Sequence, residues 1–363
     1  MLITDPKILR QYHAGIRVWQ GIPGIERTPG GRMLYTFYSG GTKELIGNYA
    51  LLYACREGEA CELPVAVAYK EGSRCFDPCL WIDPLGRLWF IWSVMPEDEV
   101  WAAICDQPDA DELVFGEPFY IADGVMMNKP TVLSTGEWLF PITFWHPSVK
   151  MPFSNGGKQT GAFVYQTVDG GKTFTRLGGA DIPQRSYDEH MILEHRDGSL
   201  SMFIRTLYGI GLARSFDRGV SWSEGGDSGI AGPSSRFHIR RLASGRVLLI
   251  NHVDFSGRNN LTALLSEDDG VTYPYRLLLD GRAAVTYPDV SEDVDGNLYV
   301  IYDRQRGAFL KSLEQVYTQA REILVAKITE ADIIAGHLTT ESSYLARVIS
   351  KLGAYEGEEL CFE

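Results

Sequence analysis

The chain has 363 residues and a formal net charge of −13, a balance that disfavours nucleic acid and anionic membranes as partners, because both are held chiefly by clustered Lys and Arg. An anionic ligand would need a local basic pocket. Met1 to Gln20 has no apolar core flanked by a small-residue cleavage site and no run reaches membrane-spanning length, so the sequence as written reads as cytoplasmic, with a longer, secreted parent as the alternative.

From about residue 20 to 305 a short pattern returns six times: an apolar run, a turn, then Gly followed by a second apolar run. The copies begin at Ile22, Asp77, Lys129, Glu189, Arg236 and Tyr287, and their turn glycines are Gly31, Gly86, Gly136, Gly198, Gly245 and Gly296, spaced 47 to 62 residues apart. Each copy is a hairpin signature, since the turns supply positive φ and the flanks are β-branched or aromatic. That interval holds about four strands, one propeller blade.

A second pattern is interleaved with the hairpins at Thr167-Val168-Asp169-Gly170-Gly171-Lys172-Thr173-Phe174, Ser215-Phe216-Asp217-Arg218-Gly219-Val220-Ser221-Trp222 and Ser266-Glu267-Asp268-Asp269-Gly270-Val271-Thr272-Tyr273, with Ala54 to Cys61 a decayed copy. Here Asp accepts backbone N–H bonds, Gly takes the strained φ and the aromatic ring packs between sheets. These segments resemble the Asp-boxes of the sialidase (neuraminidase) superfamily. The resemblance implies an all-β, six-bladed propeller with four-stranded antiparallel blades, forming one domain over residues 1–363.

The remaining segments carry weaker signals. Glu322 to Ile328 reads as a strand that closes the ring by pairing into the first or last blade, and Thr329-Glu330-Ala331-Asp332 opens a short capped helix. Ser312 to Arg321 and Ser342 to Lys351 are expected to be helical. The six cysteines, Cys55, Cys61, Cys75, Cys79, Cys105 and Cys361, lack metal-site spacing and read as buried free thiols. The acidic turns at Asp293–Asn297 and Glu267–Gly270 read as turn chemistry rather than calcium loops, so neither a metal nor a cofactor is expected.

In an antiparallel hairpin the start of the first strand lies beside the end of the second, so one face of the ring collects Ile22, Asp77, Lys129, Glu189, Arg236 and Tyr287 with Ser39, Ser93, Trp145, Arg205, His252 and Asp303. Most are polar, which predicts a funnel. Ser39 and Ser93 are expected to be structural, and Phe144, Trp145 and His146 could stack on a sugar or pack between blades.

The sialidase resemblance assigns roles. It implies a Tyr287 nucleophile activated by Glu189, because a neutral phenol is not repelled by a carboxylate on the anomeric carbon. Arg205 and Arg258 fall where the family has carboxylate-binding arginines, and Asp303, in place of a glutamate, would orient another. Arg236, Lys129 and His252 join the pocket from register. The family's first arginine is absent, because Gly21-Ile22-Pro23 stands where Arg-Ile-Pro is expected; Arg17 or Arg236 would have to substitute. Glu44 and Asp77 are the candidates for the proton donor. The expected activity is release of a terminal anionic sugar; the alternatives are a glycosidase for a neutral or uronic sugar using Asp77 and Glu189 as paired carboxylates, or a glycan-binding propeller without turnover.

Overall fold

The computed structural model describes residues 1–41, 44–59, 61–145, 159–306 and 321–352. Six antiparallel sheets follow one another along the chain, five with four strands and the first with five. The innermost strand of each sheet, called its first strand below, is Gln20–Arg27, Arg74–Ile82, Thr131–Val132, Arg185–Glu194, His238–Arg241 and Val285–Glu292, and these strands pack around a common axis. The protein is a six-bladed β-propeller. All six hairpin glycines take left-handed φ, between 78° and 101°.

Each Asp-box is built as its sequence requires. In the box at Ser215, Asp217 Oδ1 accepts from Ser215 Oγ at 2.8 Å and from the Ser221 amide at 2.9 Å, while Ser215 Oγ accepts from the Gly219 amide at 2.8 Å. The boxes at Thr167 and Ser266 repeat these bonds. Hydrogen bonds from the Thr272 hydroxyl and amide hold the Asp268 carboxyl down to about 2. The ring that ends each box packs inward: Phe174 lies 5.1 Å from Phe140, inside an aromatic cluster with Trp81, Trp89 and Trp138 that joins the second and third blades.

Among the described residues each terminal strand stays in its own blade, and the expected strand Glu322–Ile328 is found in the last one. Glu322–Ile328 pairs with Leu298–Arg304 as the ordinary third strand of the sixth blade, and the N-terminal strand Leu2–Ile3 pairs with Ala66–Ala68 in the first. The junction is held by cross-blade bonds: the Ile22 amide donates to Asp303 Oδ2 at 2.7 Å, the Ile25 amide to Asp289 Oδ2 at 3.0 Å, and Gln20 Nε2 to the Arg321 carbonyl at 2.8 Å.

Two expectations are corrected. Tyr344–Lys351 is a strand, not a helix: it pairs with Glu322–Ile328 as the outer edge of the sixth blade, where backbone pairing overrides a mixed polar pattern. Cys55 and Cys61 are joined as a disulfide instead of lying free, since the blade-one turn brings their Cα atoms to 5.8 Å. Cys75, Cys79 and Cys105 are buried free thiols, and the helix Glu330–Ala335 has the capping box at Thr329. The segment 307–320, with most of the helix expected at Ser312 to Arg321, lies outside the described residues, as do His146 and Cys361.

Gly171 tests the packing of the boxes against the blades. Its φ is +86° and an added Cβ would meet the Trp89 ring at 2.3 Å. Gly171→Ala should cost about 2–4 kcal/mol from the left-handed backbone and overpacking together, measured as a shift in the urea unfolding midpoint at unchanged slope.

Candidate functional site

Tyr287, Glu189 and Asp77 are aimed at the axis by irregularities in the first strands. Pairing skips between Thr286 and Asp289, between Asp188 and Met191, and between Phe76 and Cys79, and the skipped residues adopt left-handed φ: 59° at Tyr287, 43° at Glu189 and 47° at Asp77. Pro78 and Pro288 follow two of these residues and, lacking an amide hydrogen, leave no donor unpaired where the ladder is broken. A network of Arg185, Asp188 and Thr143 fixes the bulge before Glu189; Arg185 Nη1 donates to Asp188 Oδ2 at 2.6 Å, and Thr143 Oγ1 donates to the same oxygen.

The bulges bring together residues 98 positions apart. The Tyr287 hydroxyl donates to Glu189 Oε1 at 2.6 Å. Arg205 Nη1 donates to the same oxygen at 2.7 Å and lies 3.0 Å from the phenol oxygen. Arg205 Nε donates to Ser234 Oγ at 3.2 Å, and Arg258 Nη2 donates to the Ser234 carbonyl at 3.1 Å, so one residue positions two guanidinium groups. Arg258 stands 5.6 Å and Arg306 4.0 Å from the centre of the Tyr287 ring. Burial, then the Glu189 charge, raises the Tyr287 pKa against the opposing pull of Arg205, Arg306 and Arg258, so the phenol keeps its proton at neutral pH.

Asp77 shares a small pocket with Glu189, Trp145, Tyr187, Met127 and Asn128. Burial is the main cause that pushes its carboxyl up to about 8; Glu44 and Glu189 add to the rise and Arg74 opposes it. Asp77 therefore carries a proton at neutral pH. Glu44 does not: burial works against its charge, but Arg74 at 3.0 Å and Arg306 at 3.4 Å hold its pKa below the ordinary value. Of the two sequence candidates for proton donor, Glu44 is set aside.

A family model described as a BNR repeat-like domain matches residues 32–300 of this chain. The chain belongs to the BNR repeat-like domain family. No curated protein matched it. Among solved structures it is similar to a protein of unknown function from Dyadobacter fermentans (16% identity, TM-score 0.62, covering 78% of this chain and 90% of that one). It is also similar to the NanB sialidase of Streptococcus pneumoniae (12% identity, TM-score 0.63, 88% and 70%) and to the intramolecular trans-sialidase of Ruminococcus gnavus (13% identity, TM-score 0.61, 87% and 95%). These likenesses establish a sialidase-like fold.

Within this BNR-repeat propeller, the other predicted residues separate by depth along the axis. Asp303 is at the pocket, accepting from Arg306 Nε at 2.7 Å, and Trp145 forms a wall 5.4 Å from Tyr187. His252 is buried beside the Arg258 loop, its Nδ1 2.8 Å from the Asn259 carbonyl. Lys129 and Arg236 have their donors engaged by the channel wall, Arg236 just behind the Asp77–Glu189 pocket. Lys129 Nζ is consumed by the Ile25 and Leu80 carbonyls and Glu26, each at 2.7 Å, and Arg236 by Asn128 Oδ1 and the Met127 and Pro23 carbonyls. Both belong to a network that fills the channel. Arg17 does not substitute for the absent arginine either; it lies 5.4 Å from the Phe37 ring, within the first blade.

Arg306 passes over Gly21, where the resemblance expects that arginine, and sequence reasoning missed it. A Cβ on Gly21 would sit 2.5 Å from Arg306 Cδ and 2.7 Å from its Cγ, so the glycine makes room for this side chain. The available signal was an arginine three residues beyond Asp303. Ser234, Tyr187 and Arg74 were missed as well, because they stand outside the hairpin register.

The Glu189–Arg205 pair is nearly dry, with side-chain exposures of 3% and 6%. Arg205→Ala should destabilise the protein by about 3–5 kcal/mol, since it strands a buried carboxylate. Adding Glu189→Gln should recover much of that loss, and chemical denaturation of the two variants checks both values.

Proposed function

We propose that the protein is a retaining exo-glycosidase of the sialidase type, releasing a terminal sugar that carries a carboxylate. The observation that carries this reading is the 2.6 Å bond from the Tyr287 hydroxyl to Glu189, flanked by Arg205, Arg258 and Arg306. The site has more guanidinium than carboxylate facing the phenol, and guanidinium matches a carboxylate bidentately. The sialidase and trans-sialidase names of similar structures support the choice of sugar class, through fold alone.

In this reading the phenol oxygen attacks the anomeric carbon as Glu189 takes its proton, and the bond to the leaving oxygen breaks as Asp77 protonates it. The sugar is then bonded to Tyr287. Water attacks the same carbon with the Asp77 carboxylate as base, the phenol leaves and recovers its proton from Glu189, and both carboxyl groups return to their starting states. A neutral phenol suits this task, because a carboxylate nucleophile would be repelled by the substrate's own negative charge.

Tyr287→Phe should lower release of a 4-methylumbelliferyl sialoside by at least about 10³-fold while the protein stays folded by circular dichroism, and a wild-type protein inactive on all sialosides tried would overturn the substrate class. Asp77 donates only while protonated, so kcat/KM should fall as pH rises through about 8. Asp77→Asn should abolish that limb, and should cost about 10²–10⁴-fold on a natural glycan but far less on an aryl glycoside, whose leaving oxygen needs no proton. A pH profile on both substrates checks it.

A further inference from the structure

The first strands run from the Tyr287 pocket to the opposite mouth of the ring, where a second cavity of about 520 Å³ opens, lined by residues from all six blades. Between the two lies a plug of paired charges. Asp289 is 3.2 Å from Lys129 and 3.6 Å from Arg236, Lys129 is 2.7 Å from Glu26, and Glu26 also accepts from Ser291 Oγ at 2.8 Å. The far cavity is thus a compartment of its own.

Its carboxylates are already engaged. Asp83 accepts from Arg87 and Trp89, Asp293 from Arg27 and Asn297, Glu194 from Ser134, and Glu292 from the Ala243 amide. Two groups on alternate positions of His238–Arg241 are not. His238 is 3% exposed; its Nδ1 lies 3.2 Å from Asp289 Oδ1, and neither ring nitrogen has a hydrogen-bond partner among the described residues. Arg240 makes, among the described residues, a single long bond, 3.4 Å from Nη1 to the Val290 carbonyl, and its charge also faces the Glu292 carboxylate without a direct pair. Burial lowers the His238 pKa to about 4, so the ring is neutral at pH 7; with its hydrogen on Nδ1 toward Asp289, Nε2 is an acceptor. Trp81, Pro130, Ile239 and Val294 supply apolar wall.

We propose that this cavity is a second ligand site, taking a single-ring hydroxy acid whose hydroxyl donates to His238 Nε2 and whose carboxylate pairs with Arg240. The volume suits one sugar-sized ring, within the range of about 300–1,000 Å³ usual for small-molecule sites. The acceptor lies deep and the guanidinium nearer the rim, so a neutral sugar satisfies only half of the site. Because the plug separates the compartments, the site stands whether or not Tyr287 turns over a substrate.

The test is calorimetric titration of D-glucuronate into the full chain carrying Arg258→Ala, which weakens the upper pocket, and into the same chain with Arg240→Ala added, folding being checked by circular dichroism. The first should bind at millimolar or lower concentration, the second at least tenfold more weakly, and D-glucose more weakly than glucuronate in both. The proposal is overturned if Arg258→Ala alone abolishes binding seen in the wild type, if no protein binds, if Arg240→Ala changes nothing, or if glucose binds as well as the acid.

Discussion

One oxygen, Glu189 Oε1, receives hydrogens from both the Tyr287 phenol and the Arg205 guanidinium. The contact spans the fourth and sixth blades, so it exists only if the ring closes with the right number of sheets and each inner strand delivers its side chain at the same height. The left-handed backbone at Tyr287, Glu189 and Asp77 is part of what this requires. Such conformations cost of order 1–3 kcal/mol each in non-glycine residues and persist where surrounding structure over-determines them. Here the Arg185–Asp188–Thr143 network on one side and the cross-blade amide bonds of Ile22 and Ile25 on the other supply that constraint.

Charge along the axis is distributed in layers. Around Tyr287, Arg205 has a carboxylate at contact distance, whereas Arg258, among the described residues, donates to a carbonyl, and burial lowers its pKa. One level deeper, Arg236, Lys129, Asp289 and Glu26 cancel one another. Burial opposes the Asp289 charge, yet Lys129, His238 and Arg236 hold its pKa well below the usual range. A buried set of this kind contributes little net stability by itself, but removing one member leaves an uncompensated charge. Its effect on the site is to stop the channel from being a pore.

The fold was readable because its signals are local. An Asp-box closes its hydrogen bonds within five residues, and the hairpin glycines recur at blade spacing, so neither needs knowledge of the ring. Glu189, Arg205, Asp303 and Tyr287 were readable for a related reason: antiparallel register places strand starts beside strand ends. Register gives a face of the ring but not a depth, which is why Lys129 and Arg236 were placed in the pocket instead of the plug beneath it. Tyr344–Lys351 was misread because an edge strand exposed on both sides has no strict alternation, and the Cys55–Cys61 pairing follows from a turn rather than from any periodicity.

Arg306 shows what sequence order conceals. Its backbone carbonyl accepts from the Gln20 amide at 3.2 Å, so at the ring junction the end of the sixth blade runs beside the first strand of the first. From there the side chain crosses over Gly21, meets Asp303 and reaches the Tyr287 ring, although 285 positions separate it from the glycine. A side chain of any size at position 21 and this course for Arg306 are mutually exclusive, since the Cβ and the arginine stem claim the same volume. The glycine at position 21 and the course of Arg306 are therefore a single structural fact, fixed by geometry across a blade boundary rather than by position in the chain.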